Sequence, residues 1–483
     1  MPDATITAAG LTALLGPVLT QGDGPAYRLL ADRLRHLIAD GRIPTGTRLP
    51  SERDLPVALG VSRTTVTRAY AVLREGGYLT SRRGSGSIAA VPGGALPAHG
   101  PLIARRTSAH TIDLTYAALP ASAGTMQAYE RALAALPRYL TVPGYDPVGL
   151  PQTRAAIADW YAGRGLPTTP EQIIVTSGAN AALAAVAHAL GRPGQRVVME
   201  TPTYANAIHT LAGARLRPTG VPLGGCVWEV DSFAATMRRN AAPLAYLMPD
   251  FHNPTGALMS TETRAAMVGA AERAGTIIVV DETFADLPLD LTSSAMPPPM
   301  AAFGDRVVTI GSTSKTFWGG VRVGWVRLPA DPALRERVLY ARHCVDLGTP
   351  ILEQLVTAEL FAARPAIIEE RRATLRRQRA ALADALRSAF PDWRFTVPTG
   401  GVNLWCELPR PVASGLVRAA APLGLHLAAG GRFAVSGGLE SCLRLPYTLA
   451  SERLHEAVSR LAQAWSSAVE SAPAEASWPP IVA

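Results

Sequence analysis

The stretch Gly311-Ser312-Thr313-Ser314-Lys315-Thr316-Phe317-Trp318-Gly319-Gly320-Val321-Arg322 contains the only lysine of the chain. Every other residue among the 46 basic ones is an arginine, so this position keeps a side chain that the rest of the sequence avoids. Arginine stays protonated and cannot form an imine, whereas a desolvated lysine loses its proton and condenses with an aldehyde. The alternative is a surface lysine that remains by chance. The pattern favours Lys315 as a reactive primary amine.

The residues around Lys315 suit a phosphorylated aldehyde. The β-branched run 306–310 predicts a strand that enters the site, and Ser312 places a hydroxyl at its end. Arg322 then supplies a fixed cation that suits a phosphate dianion. The stretch resembles the cofactor-lysine motif of fold-type I pyridoxal-phosphate enzymes of the class I aminotransferase group. The resemblance implies that Lys315 holds pyridoxal 5'-phosphate covalently, while Ser312 and Arg322 bind its phosphate.

Composition limits the class of protein. The chain has 483 residues, 48% apolar and 17% charged, which predicts two or three globular domains. Its four cysteines form no CxxC pair, so we expect neither a metal site nor disulfides, and a reducing cytoplasm fits. The first residues lack a basic signal-peptide region, and no apolar run is long enough to span a membrane. Residues 22–90 hold 11 arginines and 6 acids, a net +5 of the total +8, which indicates an acidic partner.

The N-terminal region predicts a winged helix-turn-helix over residues 22–88, preceded by a lead-in helix within 1–21. Apolar residues repeat at helical spacing over 27–40, and a second helix is expected to start at a capping box that begins with Ser51. After a glycine turn, Ser62 caps a third helix with an apolar face. Residues 78–88 then read as two short strands around a basic glycine tip, the wing. The alternative is an accessory helical cap of an enzyme.

This order of residues resembles the winged helix-turn-helix of the GntR regulator family over about 65 residues. Pro56 departs from the pattern, because proline beyond the first turn costs a helical hydrogen bond; the helix would start late or bend there. Double-stranded operator DNA is the implied partner. The residues expected at the DNA are Ser51, Arg53, Ser62, Arg63, Thr64, Thr65, Arg68, Arg83 and Gly84.

A linker is expected over 89–110, a large α/β domain over 111–465 and a tail over 466–483. Short apolar runs at 173–176, 196–199, 245–248, 276–280 and 307–310 alternate with helical stretches, which is typical of a mostly parallel sheet. We therefore predict a multidomain protein: a mainly α winged helix-turn-helix followed by an α/β transferase of fold type I, with large and small subdomains.

Candidate ligands follow the strands, where ligands of parallel sheets bind. A helix start after the first strand suits a phosphate, and Asp281 follows four apolar residues, where a protonated pyridine nitrogen would be its partner. The resemblance implies further roles: Asn253 donates to the phenolic oxygen, Tyr204 stacks on the ring and Arg444 holds a substrate carboxylate. The full set expected around the cofactor is Gly178, Ala179, Asn180, Tyr204, Asn253, Asp281, Ser312, Lys315 and Arg322, with Tyr145 reaching across a dimer interface.

Two features stand apart from the rest. Related enzymes place a tyrosine shortly after the aspartate as a donor to the phenolic oxygen, whereas this chain has Thr283 and Phe284. Phenylalanine cannot donate, so either Thr283 donates or the role is lost, and turnover is in doubt. Separately, the arginine-rich run 371–379 is interpreted as a solvated helix face in preference to a second DNA contact.

The combination of a GntR-type winged helix and an aminotransferase-like domain resembles the MocR class of transcriptional regulators. The resemblance implies a homodimer in which the winged helix of one chain packs on the other. It also implies that the pyridoxal-phosphate domain senses the cofactor, an amine or an amino acid. Two alternatives remain: a working aminotransferase with an appended domain, and a scaffold that binds no cofactor.

Overall fold

The computed structural model describes residues 5–16, 24–39, 43, 45–82, 86–90, 92 and 111–470. Most of the predicted linker lies outside these ranges, as do Arg83 and Gly84 at the expected wing tip. The last helix continues to Glu470, into the range expected to be a tail. Among the helices described, none combines the length and the apolar character that crossing a bilayer requires.

The N-terminal unit contains a helix-turn-helix and the two strands of a wing. Its elements are α1 (Ala8–Leu15), α2 (Ala26–Ala39), α3 (Asp54–Leu59), α4 (Arg63–Glu75), β1 (Leu79–Arg82) and β2 (Gly86–Ala89). Strands β1 and β2 pair antiparallel. Apolar side chains of the four helices form one cluster, which Leu11 and Leu15 of α1 join, so the lead-in helix is part of this unit's core.

Helix α3 explains how the chain accommodates Pro56. The helix begins at Asp54, so Pro56 is its third residue and lies in the first turn. The N–H groups of that turn have no intrahelical acceptor, so a proline there forfeits no helical bond. Ser51 lies three residues before Asp54, the first residue of the helix. Its side-chain hydroxyl accepts a hydrogen bond from the backbone N–H of Asp54 at 3.2 Å. The expected late start is therefore what the structure has.

The large subdomain is built on a seven-stranded sheet within residues 111–470, in the order β4-β10-β9-β8-β7-β5-β6. Only β10 runs antiparallel to its neighbours. The elements of this part of the chain are β3 (Ile112–Asp113), α5 (Thr125–Ala135), α6 (Pro151–Ala162), β4 (Ile173–Thr176), α7 (Ala179–Leu190), β5 (Arg196–Thr201), α8 (Ala205–Gly213), β6 (Arg217–Pro222), α9 (Val230–Arg239), β7 (Leu244–Leu247), α10 (Thr261–Ala274), β8 (Ile277–Asp281), β9 (Val307–Ser312), β10 (Gly324–Arg327), α11 (Pro332–His343) and α12 (Ile351–Ala362).

Helices cover both faces of this sheet. Successive residues of a strand point to opposite faces, and accordingly Val279 belongs to one buried cluster while Ile278 and Val280 belong to another. Burial on both faces explains why these strands are continuous apolar runs. Because β4, β5, β7, β8 and β9 run in the same direction, their carboxyl ends meet at one edge.

A small subdomain closes over that edge. Its elements are α13 (Arg364–Ala389), β11 (Asn403–Glu407), α14 (Ala413–Ala420), β12 (Leu425–His426), β13 (Ala428–Ala429), β14 (Cys442–Pro446) and α15 (Ser451–Glu470). Strands β11, β14 and β13 form an antiparallel sheet, and β12 pairs with β3. The residues after β3 therefore cross from the small subdomain to the edge of the large sheet.

Candidate functional site

A cavity of about 300 Å³ lies at the carboxyl edge of the sheet, between the large and small subdomains. Most of the residues expected at the cofactor line it: Ala179, Asn180, Tyr204, Asn253, Asp281, Ser312, Lys315, Arg322 and Arg444. Gly178 lies directly before Ala179, at the start of α7. Tyr145 does not line this cavity, and its side chain is 73% exposed.

Lys315 lies on a π-helical turn, Ser314–Trp318, that follows β9. Its Nζ donates to the carbonyl of Ala117 at 2.5 Å. Burial lowers the pKa of Lys315 to about 8, and the positive charge of Arg444 adds to this effect while Asp281 opposes it. Because the neutral amine is the nucleophile, a pKa near 8 leaves an appreciable reactive fraction at neutral pH.

The turn that carries Lys315 is held from two sides. Thr316 donates to a carboxylate oxygen of Asp286 at 3.0 Å, and Asp286 follows β8, which ends at Asp281. Arg371 of α13 donates to the carbonyl of Phe317 at 2.5 Å. These bonds fix the position of Lys315 relative to Asp281.

The interpretation of 371–379 as a solvated face is wrong. Arg371 and Arg372 are buried, and Arg372 donates to the backbone carbonyl of Asp286 at 3.1 Å. Arg379 pairs with Asp290 at 2.6 Å. The arginine stems are buried against the large subdomain, and their guanidinium groups donate to backbone carbonyls of the loops around the site. A guanidinium group can do this because it offers several donors in a fixed plane.

Asp281 ends β8 and receives three hydrogen bonds. Its Oδ1 accepts from the backbone N–H of Thr283 at 2.9 Å and from the Thr283 hydroxyl. Its Oδ2 accepts from the hydroxyl of Tyr246 on β7 at 2.8 Å. Burial raises the pKa of Asp281, while the donors from Thr283 and Tyr246 act in the opposite direction. A protonated ring nitrogen would add the positive partner that this buried carboxyl group requires.

Phe284, three residues after Asp281, offers no hydrogen-bond donor to the cavity. Phe284 is 2% exposed and lines the cavity. The hydroxyl of Thr283 donates to Asp281, so it is already engaged there. Asn253 offers the remaining donor, because Asn403 donates to its Oδ1 at 3.3 Å and this assignment leaves the Asn253 amide N–H₂ for a ligand.

The opposite end of the cavity suits a phosphate. Helix α7 starts there with Gly178 at φ +104°, and a Cβ on Gly178 would lie 2.8 Å from a guanidinium nitrogen of Arg322. That guanidinium also donates to the carbonyl of Ser177 at 2.7 Å. Free N–H groups of a helix start, a close cation and the Ser312 hydroxyl together make an anion site. The residues present therefore fit pyridoxal phosphate at both its ring nitrogen and its phosphate.

Arg444 lies on β14 and faces the cavity from the small subdomain. It donates to the carbonyl of Thr115, and its guanidinium lies 4.9 Å from the ring centre of Phe433. Its Nε is buried and has no hydrogen-bond partner among the described residues. Burial lowers the pKa of Arg444 to about 10, with a further contribution from the charge of Arg432. The side chain is thus a desolvated cation that a carboxylate would stabilise.

Several residues of the site were not predicted from the sequence. Tyr246 looked like an ordinary core residue of a strand, and in the sheet it lies opposite Val279, two residues before Asp281. The loop 115–118 and Arg432 line the cavity as well. They reach it through packing of the small subdomain, for which the sequence carried no local signal.

The nucleic-acid candidates occupy the exposed side of the helix-turn-helix. Ser62 accepts from the backbone N–H of Thr65 at 3.1 Å and so caps α4. Along this helix Arg63, Thr64 and Arg68 are exposed and Thr65 is half-buried, while the guanidinium of Arg68 lies 5.5 Å from the Tyr27 ring centre. In addition to these, Ser51, Arg53 and the previously unassigned Arg48 are exposed.

Two family models match the chain. Residues 26–88 match the gntR family of bacterial regulatory proteins, and residues 126–461 match the class I and II aminotransferases. The two matches correspond to the N-terminal unit and to the large and small subdomains described above. The second match covers more than half of the chain.

Three similar proteins illustrate both parts. The probable rhizopine catabolism regulatory protein MocR of Rhizobium meliloti is 32% identical over 64% of this chain and 67% of its own length. The uncharacterised HTH-type transcriptional regulator YdfD of Bacillus subtilis is 25% identical over 88% of this chain and 93% of its own. The crystal structure of LysN, the α-aminoadipate aminotransferase of Thermus thermophilus, complexed with N-(5'-phosphopyridoxyl)-L-leucine, matches with TM-score 0.67 and 28% identity over 75% of this chain and 94% of its own.

Proposed function

The chain belongs to the class I and II aminotransferase family, in the MocR-class form that carries a GntR-type DNA-binding domain, and we propose that it regulates transcription in response to an amine or amino acid bound at its pyridoxal-phosphate site. One observation carries this proposal: a single chain joins an exposed recognition helix to a cavity that fits the cofactor. A DNA-binding helix would contribute nothing to catalysis by an enzyme, and a cofactor cavity would contribute nothing to a repressor that binds no ligand.

The residues of the cavity take distinct roles in this proposal. Pyridoxal phosphate supplies an aldehyde for primary amines and an electron-withdrawing ring. Lys315 would present its amine to this group, and Asp281 would hold the ring nitrogen. Arg322, with the start of α7, would hold the phosphate, and Asn253 would donate to the phenolic oxygen. Arg444 would bind and orient the carboxylate of an incoming amino acid.

Residues 430–440 offer a route from the cavity to the DNA-binding unit. Phe433 lines the cavity, whereas the carbonyl of Ser436 accepts a hydrogen bond from the Thr45 hydroxyl at 3.2 Å. A ligand shifts an equilibrium between two arrangements only by its differential affinity for them. We propose that ligand-dependent movement of 430–440 changes the orientation of the DNA-binding unit.

The protein is proposed to act as a homodimer. Exposed apolar side chains occur on two neighbouring segments, with Leu140, Val142 and Tyr145 on one and Tyr340 and Leu347 on the other. Such a surface is typical of an interface. In a dimer, Tyr145 would reach the cofactor phosphate of the other subunit. If the two chains exchange their DNA-binding units, as the resemblance to MocR-class regulators implies, the contact between Thr45 and Ser436 would join two subunits.

The test measures binding to an oligonucleotide that the full-length protein has selected from a random pool. Affinity is compared for wild type, Lys315→Ala and Lys315→Arg, each with and without pyridoxal phosphate and a panel of amino acids. In the wild type we expect a change of about 5- to 150-fold, the usual range of allosteric coupling. Lys315→Arg keeps the cation but cannot react, so it should respond as Lys315→Ala does. Unchanged wild-type binding under all conditions would contradict the sensor proposal.

A second function is a working aminotransferase, which the presence of Lys315, Asp281 and Arg444 in one cavity favours. Phe284 in place of a donor argues against efficient turnover. Steady formation of a keto acid from an amino-acid donor, in amounts far above that of the protein, would favour the enzyme. A single spectral change that stops at one equivalent would favour the sensor.

A further inference from the structure

The cavity contains a cation that the proposed function has not used. Arg432 lies on the short turn Gly430–Phe433 between β13 and β14 and lines the cavity. Its side chain is half-buried and makes no hydrogen bond or ion pair with any residue in the part of the chain that the structure describes. The next residue, Phe433, packs against the guanidinium of Arg444. Arg432 and Arg444 are therefore neighbouring positive groups at the same end of the cavity.

Two of the positive side chains of the cavity lie at the end away from the phosphate site. Among described residues, the charged side chains that line it are Asp281, Lys315, Arg322, Arg432 and Arg444. In the bound state Asp281 would pair with the ring nitrogen, while Arg322 and the start of α7 would hold the phosphate at the opposite end of the cavity. Arg432 and Arg444 would both remain at the other end, where a single carboxylate would pair with one of them. Burial lowers the pKa of Arg444, and the nearby positive charge of Arg432 lowers it further.

We propose that Arg432 binds a second acidic group of the effector, so that the effector is an amino acid with two carboxylates. Arg444 takes the carboxylate next to the amine, and Arg432 takes the one at the end of the side chain. This rests on the proposed sensor function, and it narrows the effector class from amines in general. It also places the second contact on the segment that reaches Ser436 and Thr45, so an acidic side chain would act on that segment directly.

The test uses pairs of amino acids that differ in charge and hardly in shape. L-Glutamate is compared with L-glutamine, and L-aspartate with L-asparagine. The two acids differ by one methylene in the distance between their carboxylates, so the comparison also tests the spacing of the two arginines. The full-length protein loaded with pyridoxal phosphate is titrated, and the absorbance of the cofactor reports binding. In the wild type we expect the better acid to bind at least about tenfold more tightly than its amide, which corresponds to ~1.4 kcal/mol.

Three variants separate the contributions. Arg432→Gln should reduce the acid-to-amide ratio to about one while leaving the affinity for the amide within about twofold, because only the charge contact is lost. Arg444→Gln should weaken both members of a pair. Arg410→Gln, at an exposed position of the small subdomain outside the cavity, should behave as wild type.

The outcomes distinguish this inference from the function on which it rests. If acids and amides bind the wild type equally, or if Arg432→Gln leaves the ratio unchanged, Arg432 does not read a second carboxylate. If Arg432→Gln instead weakens binding of pyridoxal phosphate itself, Arg432 serves the cofactor and the inference is wrong. If no amino acid changes the spectrum of the wild type, the sensor function fails first, and the inference fails with it.

Discussion

Removing one hydroxyl should test how the buried carboxyl group of Asp281 is kept ready for the cofactor. The hydroxyl of Tyr246 donates to Asp281 at 2.8 Å, and both side chains are buried. Tyr246→Phe retains the ring and deletes this donor. A hydrogen bond to a charged group contributes about 1.5–3 kcal/mol, so we expect the dissociation constant of pyridoxal phosphate to rise about 10- to 150-fold.

The pH dependence of this defect has a definite sign. Burial raises the pKa of Asp281, and the Tyr246 donor is one of the interactions that lower it. Without that donor the pKa rises further, so the neutral acid persists to higher pH and cannot pair with a protonated ring nitrogen. The loss of affinity should therefore be largest at low pH and shrink as the pH rises through the pKa of Asp281.

The assay is an absorbance titration of apo-protein with pyridoxal phosphate at several pH values. Thr309→Val is the matched control, because Thr309 on β9 lies opposite Val280 and its buried hydroxyl has no hydrogen-bond partner among the described residues. Both variants remove one buried hydroxyl from the same sheet, and thermal unfolding of each apo-protein reports its effect on the fold. If Tyr246→Phe binds the cofactor within about twofold of Thr309→Val at every pH, the reasoning is refuted.

Three further predictions follow from the geometry. With a pKa of about 8, roughly a quarter of Lys315 is neutral at pH 7.5, so the rate of cofactor capture measured by stopped-flow absorbance should level off above pH 8 instead of rising to pH 10. Arg63→Ala should cost ~1–3 kcal/mol of DNA affinity and relax the preference at one base, whereas a loss that is uniform across sequences, measured by binding titrations, would make Arg63 a phosphate contact. Gly437 has φ +79°, and Gly437→Ala would place a Cβ 2.5 Å from the Thr45 hydroxyl. We expect this variant to change the effect of amines on DNA affinity and to keep the cofactor spectrum of the wild type. An unaltered effect of amines would show that the contact between Thr45 and residues 430–440 does not transmit ligand binding.

Much of the site could be predicted because a parallel sheet brings the ends of its strands together. Apolar runs located the strands, so polar residues after them, such as Asp281 after β8, were expected to meet. The single lysine was predicted to be the reactive amine, and it lines the cavity beside Asp281. The helix-turn-helix followed from caps and helical spacing, both of which are local properties of the sequence.

The remainder depends on packing between distant segments. Arg432 and the loop 115–118 join the cavity because β3 pairs with β12 and β14 pairs with β13. The pairing of β3 with β12 joins residues 112–113 to residues 425–426, and a pairing of segments so far apart leaves no local pattern. The run 371–379 shows the opposite error: charged residues on a helix usually face solvent, but here long arginine side chains span the packing layer and bind carbonyls on the other side.

Two features of the cavity, the absence of a donor at Phe284 and the additional cation Arg432, both favour ligand sensing over turnover. Phe284 removes a group that would act on the cofactor, which leaves its reactive centre with fewer donors. Arg432 lines the cavity and is proposed to bind the effector, and it belongs to the segment in which Ser436 contacts Thr45. Interactions with a ligand's remote end alter which arrangement of a protein is favoured without changing the chemistry at the cofactor. Contacts of this kind would suit the proposed sensor, in which the bound ligand changes the orientation of the DNA-binding unit.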